Sequence, residues 1–431
     1  MKLQLKSLAL ILLTLAIPAA AVDAQGKPPE GFTAIFNGKD LSGWKGLAGK
    51  GGSPENRAKM TAEELAKDQA AADKLMKAHW SVQEGVLVFD GKGKSLCTAK
   101  DYRDFEMYVD WKIKEKGDSG IYLRGSPQVQ IWDYKLRNIG SGGLFNNQKN
   151  PSNPSELADK PVGEWNTFYI RMVGEHVDVK LNGKTVADNV VLENYWNRKR
   201  PIYPTGQIEL QNHGNTLYFR NIYIRELSGA EANAVLAKDK EGFKSVFNGK
   251  DFSGWAGPTQ NYEIKDGTLG CKKGTGGTIY TKEKYSDFVA RLEFKLPAGG
   301  NNGLAIRYPG KGDTAYVGMC ELQVLDSEHP KYAKLDARQY HGSAYGMAPA
   351  HRGYLRPTGE WNYQQVTVKG STIKVELNGT TILDTDLSKI TEYMAKRPHP
   401  GKENKDGHFG FAGHGDAVHF RNVSIKRLES N

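Results

Sequence analysis

The sequence predicts an all-β protein built from two tandem antiparallel sandwiches, and three observations predict it. The phrase Gly31-Phe-Thr-Ala-Ile-Phe-Asn-Gly-Lys-Asp-Leu-Ser-Gly-Trp44 returns as Gly242-Phe-Lys-Ser-Val-Phe-Asn-Gly-Lys-Asp-Phe-Ser-Gly-Trp255. Each copy closes on a matching phrase, Phe219-Arg-Asn-Ile222 and Phe420-Arg-Asn-Val423, which brackets roughly 190 residues, a length that suits one sandwich. Short β-rich runs such as Val86-Leu-Val-Phe89, Phe105-Glu-Met-Tyr-Val-Asp-Trp-Lys-Ile113 and Val366-Thr-Val368 are broken by Gly, Asn and Asp at about ten-residue spacing. The order between the ends is also kept. Asp104-Phe105 answers Asp287-Phe288, Gly163-Glu-Trp-Asn166 answers Gly359-Glu-Trp-Asn362, and Leu181-Asn-Gly183 answers Leu377-Asn-Gly379. A repeat this long means two whole domains rather than a solenoid.

In chain order, residues 1–24 read as a secretory signal peptide. Lys2 and Lys6 precede an apolar run from Leu8 to Ile17, then Pro18 and the small residues up to Ala24, with cleavage expected after Ala21 or Ala24. The apolar run is too short to span a bilayer, and the sequence predicts a periplasmic or secreted product with no transmembrane segment. The first domain covers 25–227. Its segment 45–79 has no counterpart in the second copy and predicts an inserted helix over Thr61–Lys77, opened by a Thr61/Glu64 capping box. Lys180-Leu-Asn-Gly-Lys184 and Glu376-Leu-Asn-Gly-Thr380 predict tight hairpins. Residues 228–240 form an Ala- and charge-rich linker with room for one or two helical turns, and the second domain covers 241–431. Trp44, Trp255, Trp165 and Trp361 are expected in the core, Asp104 and Asp287 in turns, and Arg220 and Arg421 at tied-down strand ends.

Composition narrows the function. Three cysteines, Cys97, Cys271 and Cys320, exclude a disulfide scaffold; a Cys271–Cys320 pair stays open beside free buried thiols. The net charge of +10 is spread over interleaved basic and acidic residues, which argues against nucleic acid as a partner. The sequence has no metal-ligand spacing and no nucleophile elbow; Ca²⁺ or another divalent metal on loop oxygens stays open, and no cofactor is identified.

Strand alternation selects the candidate site residues. In Gly120-Ile-Tyr-Leu-Arg124, Ile121 and Leu123 are expected inward, which sends Tyr122 and Arg124 to the other face. By the same parity Gln128, Gln130 and Trp132 line that outer face, as do Glu209 and Gln211, with His213 if the strand runs on. The second copy offers Arg307, Glu321, Gln323 and His414. Asp133 and Asp326 join them only where the strand ends or bulges. Amide, Arg, carboxylate and aromatic groups on one face suit sugar hydroxyls and sugar ring faces.

The two opening phrases, Ser119-Gly-Ile-Tyr-Leu-Arg124, Gly163-Glu-Trp-Asn166, His213-Gly214 and Phe219-Arg-Asn-Ile222 resemble the 3-keto-disaccharide hydrolase family, in both copies and over nearly their full length. The resemblance implies concanavalin-A-like jelly-roll sandwiches and cleavage of 3-keto-glycosides, sugars already oxidised at carbon 3. The family pattern Tyr-Glu-Val-Gln-Ile-Leu-Asp keeps its Glu as Glu321 in the second copy, whereas the first has Gln128. Conversely Glu209 and Gln211 face Gly410 and Ala412. The implied mechanism is elimination across C1/C2 followed by hydration, with Glu321 or His414, Arg307 and Glu209 as catalytic candidates. Substrate contacts are expected from Tyr122, Arg124, Gln128, Gln130, Trp132, Asp133, Gln211, His213, Gln323 and Asp326. The alternative is a non-catalytic carbohydrate-binding protein, marked by an exposed aromatic platform such as Trp132.

Overall fold

A computed structural model describes residues 26–49 and 52–429. The leader-like stretch and both expected cleavage positions lie outside the described residues. Each repeat folds as a sandwich of one eight-stranded and one five-stranded sheet, every strand pairing antiparallel. In the first copy the large sheet runs, in spatial order, Lys184–Val191, His176–Leu181, Asn166–Val173, Phe105–Ile113, Leu217–Glu226, Val86–Phe89 and Trp80–Gln83, with Thr33–Ala34 also paired to Leu217–Glu226. The small sheet runs Trp44–Gly46, Leu96–Thr98, Glu209–Leu210, Asp118–Leu123 and Ser126–Trp132. The second copy repeats the large-sheet order, and its small sheet runs Trp255–Ala256, Gly277–Tyr285, Gly407–Gly413, Asn301–Tyr308 and Cys320–Leu325. The tandem sandwiches expected from the repeat are therefore present.

Each core lies between its two sheets because alternate residues point there: Phe105, Met107, Val109, Ile121 and Leu123 are fully buried in the first copy, and Phe288, Leu292, Leu304 and Ile306 in the second. Both Asn-Gly hairpins form. Asn182 and Gly183 sit at φ of 52° and 86°, Asn378 and Gly379 at 51° and 77°, the left-handed pair that a two-residue turn requires. Two helices occupy the insertion, α1 (Pro54–Ala58) and α2 (Ala62–His79). Thr61 Oγ1 accepts from the Glu64 N–H while the Glu64 carboxylate accepts from the Thr61 N–H, the capping box read from the sequence. The linker carries α3 (Gly229–Leu236), opened by a second box from Ser228 and Glu231. Asn233 of α3 donates to Glu293 and accepts from Arg356, which ties the linker to the second copy. No helix among the described residues is long and apolar enough to cross a membrane.

Two expectations change. Trp44 and Trp255 are buried, each indole N–H bonded to a backbone carbonyl, but Trp165 and Trp361 are half-buried and lie outside the core, under the guanidinium groups of Arg220 and Arg421 at 4.1 Å. Asp104 and Asp287 do more than shape turns, since each accepts a bond from a buried arginine, described below. All three cysteines are free and buried.

Candidate active site

The edge strand Cys320–Leu325 turns Leu322 and Val324 into the core, which leaves Glu321 and Gln323 on the outer face. Its neighbour places Gly303 opposite Gln323 and Ala305 opposite Glu321. A Cβ on Gly303 would stand 2.1 Å from Glu321 Oε1, so only glycine lets that carboxylate lie across the strand. His414 follows the end of strand Gly407–Gly413 and turns back until its Nε2 is 3.3 Å from Glu321 Oε1. The Glu321 side chain is only 6% exposed, whereas the imidazole side chain is 45% exposed. Their hydrogen bond raises the His414 pKa above its ordinary value, with burial opposing. Gln323 Nε2 donates to Asn301 Oδ1 at 2.6 Å.

These groups floor a cleft of about 360 Å³ walled by Tyr316, Tyr332, Gln339, Tyr345 and Arg397. The Tyr345 hydroxyl accepts from Gln339 Nε2, and burial pushes its pKa up. Arg397 lies 3.3 Å above the Tyr316 ring centre and 3.5 Å from Asp313. The turn that presents it holds Ala395 and Lys396 at φ of 51° and 55°, left-handed conformations that cost L-residues energy and so mark a position fixed by its surroundings.

Of the sequence candidates, the structure brings Glu321, Gln323 and His414 together. Arg307 and Arg124 stand elsewhere. Arg307 is the last residue but one of its strand and Arg124 the first past the end of its own, at positive φ of 47° and 54°, which breaks the alternation that was to turn them outward. Arg307 is buried and donates to Asp287 at 2.8 Å and to the carbonyls of Ser286, Gly370 and Asn404. Arg124 pairs with Asp104 at 3.0 Å, and burial brings its pKa down to about 10. Asp326 and Asp133 also turn away: past the strand ends they accept backbone N–H bonds from Gly299, and from Lys116 and Lys135.

The matching face of the first copy is filled and roofed. Gln128, which replaces Glu321, donates to Gln130, which donates to Asp118 at 2.8 Å. His213 is exposed, 3.5 Å from Asp118. Gln211 donates to the Tyr122 hydroxyl at 3.2 Å, and burial beside Glu209 pushes the Tyr122 pKa up. Glu209 lies beneath α1, 3.8 Å from Arg57, and burial raises its carboxyl to about 7. Trp132 is no exposed platform: it is 6% exposed, its N–H bonded to Ile139.

Sequence reasoning missed Asn301, Tyr316, Tyr345 and Arg397. Asn301 was within reach, two residues before Gly303 on the same parity; the other three stand outside the paired strands. Among the described residues no group of three or more His, Cys, Asp and Glu side chains is gathered to hold a metal ion.

Comparison with known proteins adds the family. The chain is 29% identical over 249 residues to a 3-keto-disaccharide hydrolase of Bacteroides thetaiotaomicron, an overlap of 48% of this chain and 86% of that protein. Two crystal structures of candidate glycosyl hydrolases from Parabacteroides distasonis are each 27% identical; they cover 43% and 44% of this chain and 99% and 95% of their own, with TM-scores of 0.40 and 0.39. The 3-keto-alpha-glucoside-1,2-lyase-like domain matches residues 31–225 and again 242–426, so the chain belongs to that family and holds its domain twice.

Proposed function

We propose that this is an exported carbohydrate-active enzyme whose second copy cleaves 3-keto-glycosides, by elimination and then hydration. The observation that carries the reading is the Glu321–His414 pair, a buried carboxylate behind a half-exposed imidazole in a polar, tyrosine-walled cleft. A ketone at carbon 3 acidifies the hydrogen on carbon 2. With Nε2 held by Glu321, His414 presents Nδ1 as the base that takes that proton, and the carboxylate stabilises the imidazolium formed. The raised His414 pKa fits a strengthened base. Arg397 supplies positive charge for the enolate oxygen, the part first expected of Arg307. The C1–O bond then breaks, and the departing oxygen takes its proton from Tyr345 or from the imidazolium. Water adds back across C1/C2, which makes the net change a hydrolysis. The leader-like N-terminus supports export to the periplasm or medium.

The test is product release from a 3-keto-glucoside by the full chain and by Glu321→Gln, each with and without EDTA. Release that Glu321→Gln abolishes supports the reading, and EDTA sensitivity adds a divalent cation to it. Equal release by both proteins would sink it.

A further inference from the structure

The outer face of the large sheet in the first copy carries a second arrangement suited to sugars. Cross-strand register lines up Tyr223, Tyr108, Tyr169 and Lys180 in one row over four neighbouring strands. Phe32 stands over Tyr108 at 5.2 Å and Tyr108 lies 5.1 Å from Tyr169, all three rings half-buried and tilted to one another. The adjacent row is a chain of ion pairs. Arg225 donates to Glu106, Glu106 also accepts from the Tyr169 hydroxyl, and Arg171 donates twice to Asp178. Of these, Phe32, Tyr108, Tyr169, Glu106, Arg171 and Asp178 line a groove of about 560 Å³, within the range of small-molecule sites.

The sheet itself does not need the three tyrosines. In the second copy the same register row reads Ser424, Arg291, Gln365 and Glu376, and the strands pair in the same order. There Arg291 stacks at 3.9 Å on Phe243, the counterpart of Phe32, and donates to the Asp239 carbonyl of the linker, so that α3 and the linker form one wall of the groove on that face. The three tyrosines thus belong to the first copy alone, whose face the linker touches through Glu231, which accepts from Arg225. The lining of the tyrosine groove carries Glu106, Asp178 and Asp188 against Arg171 and Lys180, with Glu106 also paired to Arg225 and Asp178 to Arg171, so the groove holds little net field for an ionic ligand. Aromatic faces bind the C–H faces of pyranose rings, and the flanking carboxylates and guanidinium groups bind hydroxyls.

We propose that this strip is a binding site for a neutral glycan chain, separate from the reaction cleft. It rests on the outer sheet face alone and stands whether or not the second copy turns over substrate. The test is electrophoresis of the full chain in gels containing a neutral soluble glucan or, in parallel, polygalacturonate. The neutral glucan is expected to retard the protein. Tyr108→Ala with Tyr169→Ala is expected to weaken retardation about tenfold, as loss of ring stacking predicts, with release from a 3-keto-glucoside unchanged. Phe32→Ala, which removes a ring outside the sheet strands, is expected to weaken it several-fold and decides the matter if the double variant misfolds. No retardation, retardation unaffected by Phe32→Ala, or stronger retardation by polygalacturonate overturns the proposal. So does a dimer, seen by sedimentation, that the variants dissociate, since the strip would then be an interface between two copies of this chain.

Discussion

Beneath the Glu321–His414 pair the small sheet of the second copy carries Gly303, Ala305, Gly410 and Ala412; at the same positions beneath Gln128 the first copy carries Gly120, Tyr122, Glu209 and Gln211. Strand order is the same in both, and the edge-strand register differs only by a one-residue shift after Ile121 in the first copy, so the fold does not distinguish them. Side-chain volume does. Small residues leave room above the sheet of the second copy, whereas Tyr122, Glu209 and Gln211 take up that room in the first. The insertion completes the closure, because Gly46 donates to Asp73 of α2 and Arg57 of α1 reaches Glu209. One sandwich therefore presents an imidazole backed by a buried carboxylate to its cleft, and its twin holds a buried carboxyl beneath the insertion with no imidazole beside it. Fold and register alone do not predict activity here.

The sharpest way to break this contrast is to compare His414→Ala with Glu209→Gln. His414→Ala is expected to lower kcat on a 3-keto-glucoside about 10³-fold, as loss of a general base does, while Glu209→Gln leaves it within about twofold. Steady-state release assays on the full chain check both, and an equal loss in the two variants would remove the assignment of chemistry to the second copy. Arg307 probes the frame instead. Because Arg307→Ala strands the Asp287 carboxylate and three backbone carbonyls, a loss of about 3 kcal/mol in unfolding free energy is expected. Urea denaturation measures it; a variant as stable as the parent would return Arg307 to the list of candidate catalytic groups.

Much of the frame was legible in the sequence because it rests on local, repeated chemistry. Asn-Gly demands its hairpin, Thr61 and Glu64 cap one another, and β-rich runs with regular breaks announce a sandwich. Glu321 and His414 were legible too, one by strand parity and the other as the residue just past a strand. Arg307 misled because alternation holds only while φ stays extended, and a single left-handed residue at the strand end reverses the face. Trp132 misled because parity says nothing of a later segment, here Ile139 to Phe145, folding over the same face. Arg397 and Tyr345 were out of reach for a related reason: segments distant in sequence bring them to the cleft, and no periodicity encodes that closure.

Glu209 supplies a smaller effect that sharpens the contrast further. Its carboxyl titrates near 7 in the folded protein against an ordinary 4.5, raised by burial and only partly offset by Arg57. Below about pH 4.5 the group is protonated folded or unfolded and contributes no pH dependence. Between about 4.5 and 7 the unfolded chain gives up this proton first, so the folded state binds more protons and stability falls as pH rises. Above 7 a constant penalty remains, on the order of 3 kcal/mol. Glu209→Gln has no proton to lose, and the second copy has Gly410 at this position. The variant is therefore expected to match the parent near pH 4 and to exceed it near pH 8, with the difference opening between those values in urea melts. Parallel stability curves would mean that Arg57 holds Glu209 ionised throughout, and the first copy would then contain a buried ion pair rather than a neutral acid.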